Sequence, residues 1–238
     1  MIKIGRYSIQ KHGSDVHNML MRYIVPTYVK RLGLGNESDE KVAEYSKYES
    51  VLDPIGAYDT KFEDTSLVVL NEKEQVQGAM LSYFVKINKQ EESIKLFKDF
   101  LTENRRTDQG EDISTNDALI NYIAHRCDME ISITNLAKRF NVDRLLYIES
   151  TIIDPTLRRR GIAETLSVET AHLGKEELVI SEGMVKKEIW EKAGYGTKGY
   201  LGFTTLEVQM SYDGLYCPIL FTEPGDVPDG FGKSNFSV

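Results

Sequence analysis

The chain has 238 residues, 41% hydrophobic and 28% charged, which is enough to bury a core without disulfide or metal staples. Asp and Glu number 37 against 29 Lys and Arg, giving a net charge of -8. That balance argues against a dedicated nucleic-acid binder and against a protein held on anionic lipid by charge. The two cysteines, Cys127 and Cys217, form no CxxC pair and no disulfide framework, so no thiolate metal site is expected. The opening Met1–Tyr7 carries no signal-peptide pattern, and no run approaches the roughly 18 apolar residues of a membrane helix. The expected location, by default, is cytoplasmic. Composition does not fix the oligomeric state.

In chain order, residues 7–10 read as a short strand. Residues 15–31 place Val16, Leu20, Tyr23, Ile24 and Tyr28 at helical spacing, interrupted by Pro26, and residues 37–49 read as a more polar helix. Residues 66–70 and 75–87 read as two strands joined by a short hairpin turn, with Gly78 marking a bulge or a close backbone approach. Residues 89–139 turn helical and polar, broken by a loop at 105–112. Within them His125-Arg126-Cys127-Asp128-Met129-Glu130 mixes ligand types, but such donors on a polar helix read as a solvated face rather than a metal site.

Residues 145–153, Leu-Leu-Tyr-Ile-Glu-Ser-Thr-Ile-Ile, form a continuous apolar strand of the kind found at a sheet centre, ending at Asp154-Pro155. A helix follows over 158–174, with Ile162, Leu166, Thr170 and Leu173 on one face. Residues 177–181 read as a strand, 184–193 as a helix capped by Gly194, and 200–210 as a late strand. The tail from Cys217, with its prolines and glycines, reads as irregular. No linker divides the chain, so one α/β domain over 1–238 is expected.

The chemistry concentrates at Ile152-Ile-Asp-Pro-Thr-Leu-Arg158-Arg159-Arg160-Gly161-Ile162-Ala163. A buried strand stops, and a turn dense in arginine leads into a helix start. Unpaired N–H groups, the positive end of the helix dipole and three consecutive guanidinium groups together make a cradle for a phosphate group. Gly161 permits close backbone approach there.

Arg158-Arg-Arg-Gly161-Ile-Ala163 resembles the Q/R-x-x-G-x-G/A signature of the acyl-CoA N-acyltransferase (GNAT) superfamily. Glu191-Lys-Ala-Gly-Tyr195 resembles the ending of that family's next helix, and Arg139-Phe-Asn is similar to the approach to the fourth strand in its animal arylalkylamine/dopamine N-acetyltransferase-like branch. The resemblance implies a single GNAT-like α/β domain. Its central sheet would be mixed, mostly antiparallel and flanked by helices, with a helical insert between the third and fourth strands. It implies acetyl-CoA as cosubstrate and a small primary amine, arylalkylamine-like, as acceptor, attacking directly in a ternary complex. Nucleic acid, membrane and metal are not implied.

By the same resemblance, the backbone of Thr151, Ile152 and Ile153 would hold pantetheine. Arg158, Arg159, Arg160, Gly161, Ile162 and Ala163 would hold the pyrophosphate. Glu149, one turn of the pleat before that stretch, is the candidate general base, or equally a strand-end Glu paired with a nearby cation. Tyr147, two residues earlier, reads as a pocket wall. Trp190 stands where many members place a tyrosine that protonates the thiolate. The positions of the serines that assist in the arylalkylamine branch fall on Glu182 and Lys186. Hence a second expectation stands beside the enzyme: a CoA-binding sensor or interaction module with altered catalysis.

Overall fold

The computed structural model describes residues 2–4, 7–11, 65–104, 114–158, 160–182, 186–193, 203–205, 211–212 and 215–226. The helices expected at 15–31 and 37–49 lie outside these residues. In chain order the elements are β1 (Ile2–Ile4), β2 (Tyr7–Lys11), β3 (Leu67–Leu70), β4 (Val76–Lys86), α1 (Ile87–Asn104), α2 (Ser114–Arg139) and β5 (Arg144–Ile153). There follow α3 (Ile162–Leu173), β6 (Leu178–Glu182), α4 (Lys187–Ala193), β7 (Thr204–Thr205), β8 (Ser211–Tyr212), β9 (Leu215–Tyr216) and β10 (Ile219–Thr222).

Among the described residues the main sheet runs β1-β2-β3-β4-β5-β6-β10-β7. Only β5 and β6 pair in parallel; the other neighbours are antiparallel. The sheet is therefore mixed and mostly antiparallel, as the resemblance implied. The parallel pair needs a crossover, and α3 supplies it. Helices α1 and α2 occupy the chain between β4 and β5.

Alternation along β5 sends its side chains to two cores. Leu145 and Tyr147 pack with Phe97 of α1 and Ile123, Met129 and Ile133 of α2. Leu146 and Ile148 pack on the opposite face with Ile162 and Leu166 of α3 and Trp190 of α4. Both faces of β5 are covered, which is why its sequence is a continuous apolar run.

Three boundaries differ from expectation. Helix α3 starts at Ile162, not Arg158: Asp154 caps a short 3-10 turn, Pro155–Leu157, and Gly161 then takes a left-handed conformation with φ 73° before the helix begins. Among the described residues α4 starts at Lys187, after the expected Met184. The tail is not irregular throughout, because Ile219–Thr222 forms β10, fully buried between β6 and β7. Pro218 just before that strand, and Pro224 and Gly225 just after it, disguise the short run Ile219-Leu220-Phe221-Thr222 that pairs with β6.

Two interruptions shape the middle of the sheet. Val69 pairs with Gly78 but Leu70 with Val76, so Gln77 is skipped by β3, and its carbonyl accepts the N–H of Asp154 at 2.9 Å. That bond ties the turn after β5 to the bulged end of β4. Gly78 fits both expectations at once. A Cβ there would stand 2.8 Å from the Ile152 carbonyl oxygen and 2.9 Å from Ile153 Cδ1.

The second interruption lies in β5, where Ser82 pairs with Ile148 but Leu81 with Ser150, leaving Glu149 as the extra residue of a bulge. On the far side of Ser82, β3 has ended and side chains continue its ladder: Ser66 Oγ accepts the Ser82 N–H at 3.2 Å, and Thr65 Oγ1 donates to the Ser82 carbonyl. Both backbone groups of Ser82 are thus satisfied beside the bulge.

Gly78→Ala tests the close approach of β4 and β5. The added methyl meets backbone on one side, so the variant is expected to lose about 1–3 kcal/mol of stability in urea unfolding. An unchanged midpoint would mean that β4 and β5 are not packed as closely as described.

Candidate functional site

Strands β5 and β6 pair from Leu145/Leu178 as far as Ile148/Ser181. Beyond that point β5 runs on as Glu149–Ile153, paired with β4 alone among the described residues. Where the described pairing of the two parallel strands stops, at their C-terminal ends, β5 is left with an edge that has no described partner; we call this place the wedge, and it is where α/β sheets bind ligands.

The bulge decides what faces that wedge. Upstream of Glu149 the odd-numbered residues face α1 and α2; downstream the parity inverts, with Ile152 packing on the α1/α2 core and Ile153 on the α3/α4 core. The backbone orientation also follows. Asp154 donates its N–H to β4, so by antiparallel alternation Ile152 also turns its N–H and C=O to β4. Thr151 and Ile153 then turn theirs to the open side. Consistent with this, Arg158 Nε reaches the Ile153 carbonyl at 3.4 Å. Of the three residues expected to hold pantetheine through backbone groups, Thr151 and Ile153 are therefore the two that present them, while Ile152 faces β4.

The strand leads directly into the arginine turn. Asp154 Oδ1 accepts from Thr156 N at 2.8 Å and from Thr156 Oγ1 at 2.6 Å, which fixes the 3-10 turn. Leu157 is buried, so its neighbour Arg158 points outward and is exposed, as is Arg160. Arg159 lies outside the described residues. Gly161 makes no side-chain cap, and among the described residues no side chain is seen to take up the first N–H groups of α3, while Ile162 anchors the helix start in the core at 2% exposure. Glu164 lies in the first turn, where a carboxylate already suits the dipole. Ala163 adds no bulk that would cover the amides. Among the described residues the turn thus combines helix-start amides that no side chain caps with the exposed Arg158 and Arg160, Arg158 reaching back to the end of β5.

A third component was not foreseen. Arg126 of α2, 12% exposed, sends Nη1 to Glu182 Oε1 at 2.9 Å and to the Tyr147 hydroxyl at 3.2 Å. Its Nη2 bonds Glu130 Oε1 at 2.8 Å, and Gln90 Nε2 of α1 bonds the other Glu130 oxygen at 2.6 Å. The Tyr147 hydroxyl donates to Glu182. The segment 125–130 is therefore no solvated face: His125, Cys127, Met129 and Glu130 are buried. Arg126 and Glu130 lie on the same stripe as Tyr122, Ile133 and Leu136, and that placement is the signal the sequence offered. Tyr147, expected as a pocket wall, is packed in the α1/α2 core and is also a hydrogen-bond donor.

The electrostatics follow from burial. Desolvation weakens the Arg126 charge, but Glu182, Tyr147 and Glu130 outweigh it and keep the guanidinium ionised. Desolvation pushes Glu130 up to about 7 against the pull of Arg126, with Glu182 adding to the rise. Burial holds the Tyr147 phenol well above 10, so it serves as a donor. Burial and the adjacent Arg126 lower His125 to about 4, leaving it neutral. Glu149 is half-buried beside this cluster and acts electrostatically on both Tyr147 and Glu130.

Trp190 is buried in the α3/α4 core with its ring edge-on to Tyr216 at 5.5 Å. No group of His, Cys, Asp and Glu suited to a metal is found among the described residues. Nor is any described helix long and apolar enough to cross a membrane.

The pH dependence of stability checks the Glu130 environment. In the unfolded chain Glu130 ionises near 4.5, whereas in the fold it does so near 7. The fold then holds more protons between those values, so this group's contribution is complete below 4.5 and lost as pH rises through 7. His125 has the opposite sign, its contribution being complete above 6.5 and lost as pH falls through 4. The two slopes oppose each other between pH 4.5 and 6.5. Glu130→Gln leaves the His125 slope unopposed, so its Tm is expected to gain on wild type with rising pH. Parallel Tm–pH curves for the two proteins would contradict this.

No protein-family model matches the sequence, and no curated protein matches it. Solved structures do. An arylalkylamine N-acetyltransferase from Aedes aegypti superposes at TM-score 0.57 with 14% identity, covering 92% of this chain and 99% of the other. A polyamine N-acetyltransferase from Drosophila melanogaster gives 0.53 with 14% identity over 90% and 98%. An agmatine N-acetyltransferase variant in its apo form gives 0.51 with 15% identity over 91% and 99%. At these identities the likeness is one of fold, shared with solved arylalkylamine, polyamine and agmatine N-acetyltransferases.

Proposed function

We propose that this protein is an acetyl-CoA-dependent N-acetyltransferase acting on a small primary amine. One observation carries the proposal: the edge of β5 turned away from β4 runs straight into an uncapped helix start flanked by Arg158 and Arg160. A pantetheine arm is a chain of amides and can pair with the Thr151 and Ile153 backbone as a strand would, and a pyrophosphate suits the amides of Ile162 and Ala163. The fold shared with arylalkylamine, polyamine and agmatine N-acetyltransferases supports an amine acceptor. We read residues 1–238 as one domain working in the cytosol, without nucleic acid or metal.

In this mechanism the amine nitrogen attacks the thioester carbonyl carbon. The C–N bond forms, the C–S bond breaks, and the thiolate of CoA departs and takes a proton from water. In this reading Glu149 accepts the amine proton through water, a role supported by its half-buried place beside Tyr147 and Glu130 at the end of the β5–β6 pairing. Cys127 and Cys217 are both buried, and desolvation raises the Cys127 thiol, so neither is placed to form an acyl-enzyme. Direct attack within a ternary complex is the simpler course.

The burial of Trp190 against Tyr216 favours a second reading. An indole packed in the core cannot protonate a thiolate, and a CoA-binding module without turnover would tolerate it.

Calorimetry with CoA and an assay for released thiol across aryl-, diamine and guanidino-amine acceptors distinguish the two. The enzyme is expected to bind CoA and release thiol with at least one amine. Arg158→Ala and Arg160→Ala are each expected to cost about ten-fold in CoA affinity. Binding without turnover would support the module, and no binding at all would contradict both.

A further inference from the structure

Where the described pairing of β5 and β6 ends, something must set how the two strands stand to one another. Backbone pairing between the two strands ends at Ile148/Ser181, and side chains take over at that point. Glu182 is the next residue on β6, and its carboxylate accepts the hydroxyl of Tyr147, which lies on β5 just before the bulge. Arg126 reaches both from α2, at 2.9 and 3.1 Å to the two oxygens of Glu182 and 3.2 Å to Tyr147.

Arg126 is itself held from behind. Glu130, one helical turn on, takes its second nitrogen, and Gln90 of α1 holds Glu130. Glu130 is 3% exposed and Gln90 1%, so both are locked in the core beneath the sheet. A planar guanidinium gripping a carboxylate and a phenol leaves little freedom in direction. The two strand ends are thus bracketed by side chains that neither strand's backbone supplies.

We propose that Arg126 is the positioning residue of the acyl-donor slot: through Glu182 and Tyr147 it sets how far β6 stands from the open edge of β5. This rests on the reading of that edge as the pantetheine site. A slot that is too wide loses the backbone pairing of the donor, and one that is too narrow excludes it. The acceptor amine does not touch the bracket in this account, so the effect falls on the donor.

The test is steady-state kinetics on Arg126→Met, Arg126→Lys and Tyr147→Phe, with CoA affinity by calorimetry, at a temperature where each variant is folded. Arg126→Met is expected to lose roughly a hundred-fold in kcat/KM for acetyl-CoA and to bind CoA correspondingly more weakly. The KM for the amine at saturating acetyl-CoA is expected to stay near wild type. Tyr147→Phe keeps every charge paired and deletes one hydroxyl, so it reports even where Arg126→Met does not fold. It is expected to show the same donor-side loss by a smaller factor, and Arg126→Lys to recover part of the loss.

Folded variants that are less stable but keep wild-type CoA affinity and KM for acetyl-CoA would overturn the proposal, leaving the bracket a structural feature. A loss confined to the amine KM would overturn it too. If wild-type protein does not bind CoA, the pantetheine site itself fails and this inference falls with it. If wild type binds CoA and the variants bind it equally well, only the bracket fails.

Discussion

Everything at the candidate site depends on the single extra residue at Glu149. Without the bulge β5 would keep one parity along its length, and Ile153 would face the α1/α2 core instead of the α3/α4 core. With it, the parity of β5 inverts where its described pairing with β6 ends. The open edge, the arginine turn and the start of α3 then fall in sequence along one side of the sheet. The bulge is supported from behind, where Ser66 and Thr65 take up the backbone groups of Ser82 that β3 no longer reaches.

Two kinds of interaction meet at this point, and they differ in what they ask of the sequence. The slot beyond the bulge is built from backbone, so it depends on conformation: a skipped Gln77, a glycine at 78 with no room for a Cβ, and a left-handed Gly161. The bracket beside the bulge is built from side chains carrying charge, and it demands particular residues. Arg126 is desolvated but meets Glu182, Glu130 and Tyr147, and the surplus of carboxylate around it is relieved by the raised pKa of Glu130. Such a cluster is stable only when every partner is present.

The backbone part was largely legible in the sequence. A continuous apolar run ending in Asp-Pro, followed by Arg-Arg-Arg-Gly and an amphipathic stretch, specifies a buried strand, a turn and a helix start whatever surrounds them. The side-chain part was not. His125 to Glu130 reads as a solvated helix face because a charged residue looks the same in sequence whether water or a carboxylate on another strand receives it. Only its place on the stripe of Tyr122, Ile133 and Leu136 gave it away. The bulge at Glu149 is equally silent, unlike the one that Gly78 marked, because no glycine or turn residue stands there to announce it. The strand β10 was hidden for a different reason. Its four buried residues sit between prolines, and their pairing with β6 is set by contacts more than thirty residues away in the chain.

The central claim is that the open edge of β5 receives the donor as an additional strand. Amide hydrogen exchange, residue by residue, tests it most directly. CoA is expected to slow exchange at Thr151 and Ile153, whose N–H groups face the wedge, and at the first amides of α3, while Ile152, already facing β4, changes little. Tight CoA binding with no added protection at Thr151 and Ile153 would contradict the account.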